Sequence, residues 1–555
     1  MLRSRARVFT ACFVALLLCV PAASMSAAPA AAPAKKKARK KPVAVQIREM
    51  LGQPQLARAH WGVYAVDLAT GKTLFSLNAD QLFLPASNAK LFTTAAVLAA
   101  AGPDYRFHTT VEAAAKPDDR GLLLGDLVIV GRGDPNISGR VMPYQLKTER
   151  VPPHTQVLED LADQVARSGV KTVSGDLIAD DTFYAGERFA PGSAQDDLQW
   201  IDGAPVSALT FNDNVVFVNI QPGAQAGDAA VISVEPDVAY YQIESHIVTV
   251  PPGIARKIGI HRDIGSKTIV LWGSLPADDH GMREPLAMED PAEFTAQLFR
   301  TVLERRGITI AGKARARHAD VAQFFDQPVL QNFAPVAPQT AAQNAAQSTS
   351  APVPSVPTIS AAFQSSPPVV LAEHVSLPLI EDVRVTNKTS QNLHAELAFR
   401  LAGKLGGFTG SFEGGTAAMK QFLLQAGLKE EEFVLLDGSG LSRRDLVTPA
   451  AVVQLLHYAA QQPWGAAYES SLPISGVDGS LSERFVNTPA AGLIHAKTGT
   501  LSHVNALSGY GQTLRGRRFA FSIFCNNHNL GSAKILPVMD SIVQLLVTEG
   551  RAVKR

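Results

Sequence analysis

The alternation of apolar and polar residues predicts a chain of mixed α and β structure. Residues 61–66 and 72–77 alternate on either side of Ala69-Thr70-Gly71, which is typical of a β-hairpin. An almost wholly apolar run follows. A proline before this run and a glycine after it predict a helix that begins at Ser87 and ends at Gly102. Because this helix is apolar on nearly every side, we expect it to be buried.

The rest of the chain predicts an insertion followed by a return to the first domain. Between residues 103 and 326, many short β-like runs alternate with helical stretches, which is enough sequence for two inserted α+β domains, one nested in the other. The C-terminal part predicts helices and then strands. The main segments are 389–405, 416–426, 449–461, 493–498, 504–511, 518–525 and 532–548. Because the early hairpin lacks strand partners nearby, we expect residues 43–102 and 375–555 to build one antiparallel sheet flanked by helices.

A low-complexity segment separates the insertion from the C-terminal part. Residues 327–371 consist largely of Ala, Gln, Pro, Ser and Val, with very few charges and aromatic side chains. Such a segment cannot bury enough apolar surface to offset its ordering entropy. We therefore predict a disordered insertion here that marks a domain boundary.

The N-terminus predicts export from the cytoplasm. Arg3, Arg5 and Arg7 precede an apolar run and then a group of small residues, which is the arrangement of a secretory signal peptide. We predict that residues 1–28 form this signal peptide and that the mature protein is periplasmic. The Lys/Arg block in residues 29–42 predicts a solvated, disordered tether. An alternative role for the tether is weak contact with a membrane or an anionic wall polymer.

Composition excludes several classes of function. The formal charge of +1 lacks the basic excess of a nucleic-acid-binding protein. Cys12 and Cys19 fall in the predicted signal peptide, so Cys525 is the one cysteine left in the mature chain. Clusters of Cys and His with metal-ligand spacing are absent from the sequence, so we predict neither a metal nor a cofactor.

Ser87 and Lys90 are the two residues that fit poorly in the predicted buried helix. Their spacing of three residues places a hydroxyl beside an amine at the first turn. A partly desolvated amine near another cation loses affinity for its proton and can deprotonate the hydroxyl. The alternative is an N-cap serine followed by a lysine whose amine extends into solvent.

Two further motifs support the catalytic interpretation. Ser390-Gln391-Asn392 lies in the C-terminal part, and Lys497-Thr498-Gly499 lies on a predicted strand. With Ser87-Asn88-Ala89-Lys90 they match the three motifs of penicillin-binding proteins and serine β-lactamases, in the same order. Ser87 would attack a carbonyl after Lys90 takes its proton, and the backbone N–H groups of Ser87 and Thr500 would stabilise the oxyanion.

The same set of motifs assigns the remaining site residues. Ser390 would relay a proton towards the leaving amine, and Asn392 would hold the substrate amide. Lys497 would lower the pKa of Lys90 and attract a carboxylate. Of the residues that follow it, Thr498 and Thr500 could bind that carboxylate, and Gly499 would let the substrate lie flat on the strand. A catalytic triad built on His495, His503 or His528 is a less favoured alternative, because histidines on or beside strands more often have structural roles.

The chain resembles the class C low-molecular-mass penicillin-binding proteins, the D-alanyl-D-alanine carboxypeptidase/endopeptidase family. The stretch between Ser87 and Ser390 is too long for a β-lactamase, from which this family differs by large inserted domains. The resemblance extends to residues 125–135, 207–214 and 437–443. It implies a transpeptidase-like α/β domain assembled from both chain ends, with inserted β-rich domains.

The resemblance also implies a function. The expected enzyme is a periplasmic serine DD-peptidase that hydrolyses the terminal D-Ala-D-Ala bond of peptidoglycan stem peptides through a Ser87 acyl-enzyme. Cleavage of D-Ala-meso-diaminopimelate crosslinks and covalent inhibition by β-lactams are implied as well. The alternative is a peptidoglycan-binding scaffold whose chemistry is vestigial, and the intact motif residues argue against it.

Overall fold

The computed structural model describes residues 41–144, 152–321 and 367–549. Its α-helices are α1 Val43–Leu51, α2 Ala89–Ala101, α3 Gln156–Arg167, α4 Pro291–Arg305, α5 Leu379–Lys388, α6 Asn392–Leu405, α7 Phe412–Gln425, α8 Pro449–Ala459, α9 Gly465–Ser471 and α10 Ser532–Thr548. Within these ranges, no helix has both the length and the apolar character that a membrane span requires. The predicted signal peptide, nearly all of the tether and most of the low-complexity insertion lie outside the described residues.

The strands follow the same chain order. They are β1 His60–Asp67, β2 Thr73–Leu77, β3 His108–Ala113, β4 Leu122–Leu123, β5 Leu127–Val130, β6 Thr172–Val173, β7 Leu177–Ala185, β8 Val215–Gln221, β9 Val231–Glu235, β10 Gln242–Val250, β11 Lys257–His261, β12 Thr268–Pro276, β13 Met282–Ala287, β14 Thr309–Ile310, β15 Ala314–Ala319, β16 Val369–Val375, β17 Phe433–Val434, β18 Leu446–Val447, β19 Ile494–Leu501, β20 Val504–Gln512 and β21 Arg518–Asn526.

Both ends of the chain form one antiparallel sheet, in the order β19-β20-β21-β1-β2. The early hairpin β1–β2 joins the C-terminal strands through β21, which pairs with β1 from His60 opposite Asn526 to Asp67 opposite Phe519. The predicted antiparallel sheet assembled from both chain ends is therefore confirmed.

Helices cover both faces of this sheet, because successive residues of a strand point to opposite sides. On β21, Ala520 and Phe524 pack in the buried cluster that includes residues of α2 and α8. The alternate residues Phe519 and Phe521 pack with α1 and α10 on the other face. Every residue of α2 from 89 to 98 is buried, as its apolar sequence predicts. Helix α2 ends before Gly102, whose φ of 76° places it in the left-handed region that glycine adopts readily.

The inserted region contains several further sheets. Strands β15-β7-β5-β3-β16 form a five-stranded sheet, in which β5, β7 and β15 run parallel. Between β7 and β15 in sequence lie two three-stranded sheets, β13-β8-β9 and β10-β12-β11. Ile129, Val218, Leu271 and Phe294, from strands of these sheets and from α4, share one buried cluster. The predicted β-rich insertion is confirmed, and its division into two nested domains stays a prediction.

Two predicted boundaries differ from the structure. Strand β16 begins at Val369 and pairs with β3, so residues 369–371 belong to a sheet rather than to the disordered insertion. The partner of this strand lies far away in the sequence, and composition alone does not reveal such pairing. The helix predicted over 389–405 begins at Asn392, because Ser390 has a φ of 64° and interrupts the helical path.

Candidate active site

Ser87 lies in a 3₁₀ turn, Ala86–Asn88, that leads into α2. The residue before it, Ala86, has a φ of 47°. A non-glycine residue in this left-handed region stores about 1–3 kcal/mol of strain, which the surrounding structure must impose. Gly440 packs closely on the turn, since a Cβ atom on it would lie 1.9 Å from the carbonyl oxygen of Ala86. These contacts hold the Ser87 side chain at the wall of an open cleft.

The Lys90 side chain is fully buried beside Ser87. Its Nζ atom donates to three oxygen atoms: Ser87 Oγ at 2.9 Å, Asn392 Oδ1 at 2.7 Å and the carbonyl oxygen of Ser439 at 2.8 Å. The amine does not extend into solvent, and the N-cap residue of α2 is Asn88 rather than Ser87. The alternative of a capping serine with an exposed lysine is therefore wrong.

The contacts of Lys90 suit an amine that accepts a proton from Ser87. The oxygens of Asn392 and Ser439 can only accept hydrogen bonds, whereas a hydroxyl can also donate one. The Asn392 amide is oriented by its Nδ2 atom, which donates to the Asp202 carbonyl oxygen at 2.9 Å. A neutral amine that gives its two N–H groups to the two carbonyl oxygens directs its lone pair at Ser87 Oγ.

Burial lowers the pKa of Lys90 to about 8. The negative charges of Asp437, Glu396 and Asp202 oppose this shift. Burial, rather than the predicted charge of Lys497, is thus the main reason why Lys90 can lose its proton. The pKa of Lys497 is itself lowered well below the ordinary lysine value, first by burial and then by the charge of Lys90.

A second serine–lysine pair lies across the cleft. Ser390 occupies the break between α5 and α6, and its Oγ atom accepts a hydrogen bond from Lys497 Nζ at 2.8 Å. Lys497 is fully buried on β19, and it also donates to the carbonyl oxygen of Thr498 at 3.0 Å. The structure therefore brings together all five residues that the sequence predicts to be catalytic, since Asn392 contacts Lys90.

Thr498, Gly499 and Thr500 line the same cleft along β19. Thr498 Oγ1 is 2.7 Å from Ser480 Oγ, a neighbour that the sequence did not indicate. A Cβ atom on Gly499 would lie 3.0 Å from the carbonyl oxygen of Pro85. The position of this glycine is therefore explained by the close approach of β19 to the turn before Ser87. The predicted reason, a flat surface for substrate, is not needed to explain it.

A buried charged network lies behind Ser390-Gln391-Asn392. Gln391 Nε2 donates to Asp213 Oδ2 at 3.0 Å, and His394 lies between Asp382 Oδ1 at 2.6 Å and Asp213 Oδ1 at 3.3 Å. Burial alone would lower the pKa of His394, but the charges and hydrogen bonds of the two aspartates raise it above its usual value. Because Asp213 belongs to the inserted region, that region helps to hold the motif in place.

The predicted residues surround a cleft of about 490 Å³. Ser87, Ser390, Asn392 and residues 498–500 lie on its wall, and the amines of Lys90 and Lys497 contact the two serines from behind. The other lining residues are Asp197, Asp202, Thr389, Gly440, Leu441, Arg443, Leu501 and Ser502. The cleft is thus formed jointly by the sheet, α6, the 437–443 loop and a loop of the inserted region.

Sequence reasoning missed the residues that support Lys90. Ser439 acts through its backbone carbonyl, which leaves no side-chain signature in a sequence. Asp437 lies in the 437–443 run that contributes to the family resemblance, but the run received no role. Glu396 could have been found, because it follows Asn392 by four residues on a predicted helix and so shares its face.

The antiparallel sheet, the buried helix and the three motifs define a protein of the penicillin-binding class. The family model described as D-Ala-D-Ala carboxypeptidase 3 (S13) matches residues 43–331 and 341–549. The chain therefore belongs to the S13 family of serine-type D-Ala-D-Ala carboxypeptidases, and the predicted family and enzyme class are confirmed.

Individual relatives agree with this assignment. The chain is 35% identical over 507 residues to the D-alanyl-D-alanine carboxypeptidase of Actinomadura sp. (strain R39), with 89% of this chain and 82% of the relative covered. It is 24% identical over 476 residues to the D-alanyl-D-alanine carboxypeptidase DacB of Haemophilus influenzae, covering 85% and 86% of the two chains. A crystal structure of penicillin binding protein 4 from Haemophilus influenzae matches the fold with a TM-score of 0.72 at 22% identity, covering 91% of this chain and 99% of the other.

Proposed function

We propose that Ser87 is the nucleophile of this carboxypeptidase and that Lys90 is its general base. The observation that carries the proposal is the 2.9 Å contact between Lys90 Nζ and Ser87 Oγ, made by a buried amine whose pKa is lowered to about 8. A general base works best when its pKa lies near the working pH. The substrate is the D-Ala-D-Ala end of a peptidoglycan stem peptide.

Acylation begins at the penultimate D-alanine. Ser87 Oγ forms a bond to the carbonyl carbon of that residue while its proton passes to Lys90. The oxyanion that develops is stabilised by the backbone N–H groups of Ser87 and Thr500. Thr498 and Thr500 line the cleft where the substrate carboxylate binds, and the charge of Lys497 attracts that carboxylate.

The leaving group departs when the C–N bond breaks. Its nitrogen takes a proton from Ser390, which is replenished by Lys497 at 2.8 Å, and free D-alanine leaves. Lys90 passes the proton that it took from Ser87 to Lys497 through the water in the cleft, so both amines return to their starting states. A water molecule then attacks the ester carbon, and the neutral Lys90 amine takes a proton from this water. The bond to Ser87 Oγ breaks, the serine regains its proton and the shortened peptide is released.

We also propose cleavage of D-Ala-meso-diaminopimelate crosslinks. In such a crosslink the nitrogen that will leave is part of the amide, and the carbon that bears it also bears a free carboxylate. Asp197 and Arg443 line the cleft beyond the catalytic residues, and their charges interact, since Arg443 opposes the upward shift that burial gives the pKa of Asp197. The guanidinium of Arg443 in this position is complementary to that free carboxylate.

The chemistry of the site extends to β-lactams. A β-lactam offers a strained amide carbonyl beside a carboxylate, so it would acylate Ser87 and remain as a covalent inhibitor. A second Haemophilus influenzae structure of the same fold holds a β-lactam, with a TM-score of 0.65. We propose that the protein acts in the periplasm after export through residues 1–28, where its basic segment 29–42 makes weak contact with a membrane or an anionic wall polymer.

Labelling with a fluorescent penicillin tests this function. The purified protein should become covalently labelled, and it should release D-alanine from a stem peptide that ends in D-Ala-D-Ala. Ser87→Ala should abolish both signals, and it should keep the thermal stability of the parent because Ser87 is not the N-cap residue of α2. A catalytically vestigial scaffold would not label at all, and undiminished labelling of the Ala variant would place the nucleophile elsewhere.

A further inference from the structure

The Ser439 carbonyl, which contacts Lys90 at 2.8 Å, is held in place by two carboxylates without a role in the steps above. Glu396 accepts hydrogen bonds from the backbone N–H groups of Gly438 and Ser439, both at 2.9 Å. Asp437 accepts the N–H of Gly440 at 2.7 Å. That N–H shares a peptide plane with the Ser439 carbonyl, so holding one end of the plane directs the other end at the lysine amine.

The loop that carries Ser439 packs tightly against its neighbours at two glycines. A Cβ atom on Gly438 would lie 2.3 Å from the carbonyl oxygen of Ala395, and one on Gly440 would lie 1.9 Å from that of Ala86. The loop is therefore wedged between α6 and the turn that bears the nucleophile. A displaced Ser439 carbonyl would remove one of the two acceptors that orient the Lys90 amine.

Two residues on one face of α6 position both oxygen atoms that accept hydrogen bonds from Lys90. Asn392 and Glu396 are four residues apart, so they lie one above the other on the helix. Asn392 contacts Lys90 directly at 2.7 Å, and Glu396 acts through the backbone of Ser439. The two residues together fix both carbonyl oxygens around the amine.

The charges around this loop are strongly coupled by burial. Burial and then the charge of Asp437 raise the pKa of Glu396 to about 7, against the opposing effect of the hydrogen bonds from Gly438 and Ser439. Burial and Asp437 also raise the pKa of Asp445 well above its usual value. The ionisable groups that face Glu396 and Lys90 are Asp437 and Asp445 on the loop, Arg400 on α6, Lys497 on β19 and Asp202 of the inserted region.

We propose that Glu396 and Asp437 are positioning residues for the reaction: they hold the Ser439 carbonyl against the Lys90 amine and keep negative charge behind it. This inference rests on the proposed role of Lys90 as general base. Their charge stabilises the protonated amine, and their hydrogen bonds keep the amine aimed at Ser87. The carboxylates thus set the pH range over which the base is free to act.

The test is the second-order acylation rate by penicillin from pH 6 to pH 10. In the parent the rate should fall on the acid side, below the pKa of Lys90 near 8. Glu396→Gln removes a negative charge at similar size, so the acid side of the profile should move down by about one pH unit. The rate at pH 8, where Glu396 is largely ionised in the parent, should then rise by up to about twofold relative to the plateau. At pH 6.5 Glu396 is already largely protonated in the parent, so the two relative rates should differ little there. The plateau itself should fall, because an amide accepts only one of the two N–H groups.

Two variants separate charge from structure. Glu396→Asp keeps the charge on a shorter side chain, so its plateau should fall while the acid side stays where the parent has it. Asp445→Asn changes a carboxyl that is not among the charges acting on Lys90 and whose pKa is raised by burial and Asp437, so it should leave the profile where the parent has it. The proposal is overturned if Glu396→Gln leaves the acid side in place, or if Glu396→Asp moves it equally. If Glu396→Gln does not fold, a shifted Glu396→Asp profile is sufficient to reject it. Labelling of Ser87→Ala would instead overturn the mechanism itself.

Discussion

Lys90 and Lys497 are both fully buried, and each amine donates to a serine hydroxyl, at 2.9 Å and 2.8 Å. Their electrostatic surroundings differ. Carboxylates around Lys90 oppose the effect of burial and leave its pKa at about 8. The pKa of Lys497 is lowered well below the ordinary value by burial and by the charge of Lys90. The two serine–lysine pairs are therefore similar in geometry, but neighbouring charges oppose the lowering of the lysine pKa in one pair and add to it in the other.

This difference assigns the two amines to different tasks. A base must give up and regain its proton near the working pH, which a pKa of about 8 allows. Lys497 lies beside the cleft in which a substrate carboxylate is expected. Such a carboxylate would supply a counter-charge and restore the proton of Lys497. We therefore expect Lys90 to take the proton of the nucleophile, and Lys497 to bind a ligand anion and to return a proton to Ser390.

The largest effect on the acylation rate should follow a substitution that prevents the side chain at position 90 from losing its proton. Lys90→Arg keeps the charge and much of the size, but a guanidinium does not titrate in this range. Acylation by penicillin should fall by at least about 10²-fold, the usual effect of losing a general base. Stopped-flow measurement of the acylation rate from pH 6 to 10 gives this value.

Lys497→Arg is the matched control for that experiment, since it keeps a cation at the second serine–lysine pair. Its acylation rate should fall less than that of Lys90→Arg. If the acylation rate of Lys90→Arg stays within a few-fold of the parent rate, the assignment of Lys90 as the general base is wrong. Lys497, acting through Ser390, would then be the better candidate for the base.

The next effect concerns stability. Lys90 has a pKa of about 8 in the folded protein against 10.5 for an ordinary lysine, a difference that corresponds to about 3 kcal/mol of charge burial. The unfolded chain binds more protons between these values, so the parent gains stability as the pH rises from 8 to 10.5. Lys90→Met should therefore be more stable than the parent at pH 7, by at most about 3 kcal/mol.

Urea unfolding at pH 7 and pH 10 measures this difference. The advantage of Lys90→Met should shrink at the higher pH, because the parent lysine is by then neutral in the folded state. An advantage that stays constant with pH would show that packing, rather than charge burial, separates the two proteins.

A smaller and more selective effect is expected at Lys497. Lys497→Met removes the cation that we assign to the substrate carboxylate, and a hydrogen bond to a charged group contributes about 1.5–3 kcal/mol. Acylation by penicillin should fall by about tenfold or more, whereas an acyl donor without a carboxylate should react within a few-fold of the parent rate. Equal losses for both donors would remove the distinction between the lysines.

Much of this arrangement could be predicted from the sequence, for a physical reason. Ser87 and Lys90 are polar residues in an otherwise apolar helix, and such misfits stand out. The order of the three motifs predicted which distant segments meet. The central sheet could be predicted because β1 and β2 alternate clearly but lack local partners.

The parts that could not be predicted depend on long-range contacts. The acceptor at Ser439 is a backbone oxygen, and its position follows from Glu396 and Asp437, not from its own side chain. Ser390 was placed inside a helix, because local propensity does not show that Lys497 and the inserted region hold it in a left-handed turn. The strand at Val369 was missed, since its pairing with β3 spans the whole insertion.

A deletion far from the cleft should leave the pKa values of Lys90 and Lys497 unchanged. The low-complexity segment is suitable for such a deletion. Its composition predicts no packed core, and the entropy of closing a loop changes by only about 0.6 kcal/mol per doubling of length. Replacing residues 327–366 by a short Gly/Ser bridge should therefore keep thermal stability and penicillin labelling close to the parent values. Extending the deletion to residue 371 should lower stability, because Val369 and Val370 pair with β3. If the shorter deletion already destabilises the protein, the segment packs on the fold and the predicted boundary is wrong. If it changes the pH profile of acylation, the tuning of Lys90 and Lys497 is not local to the cleft.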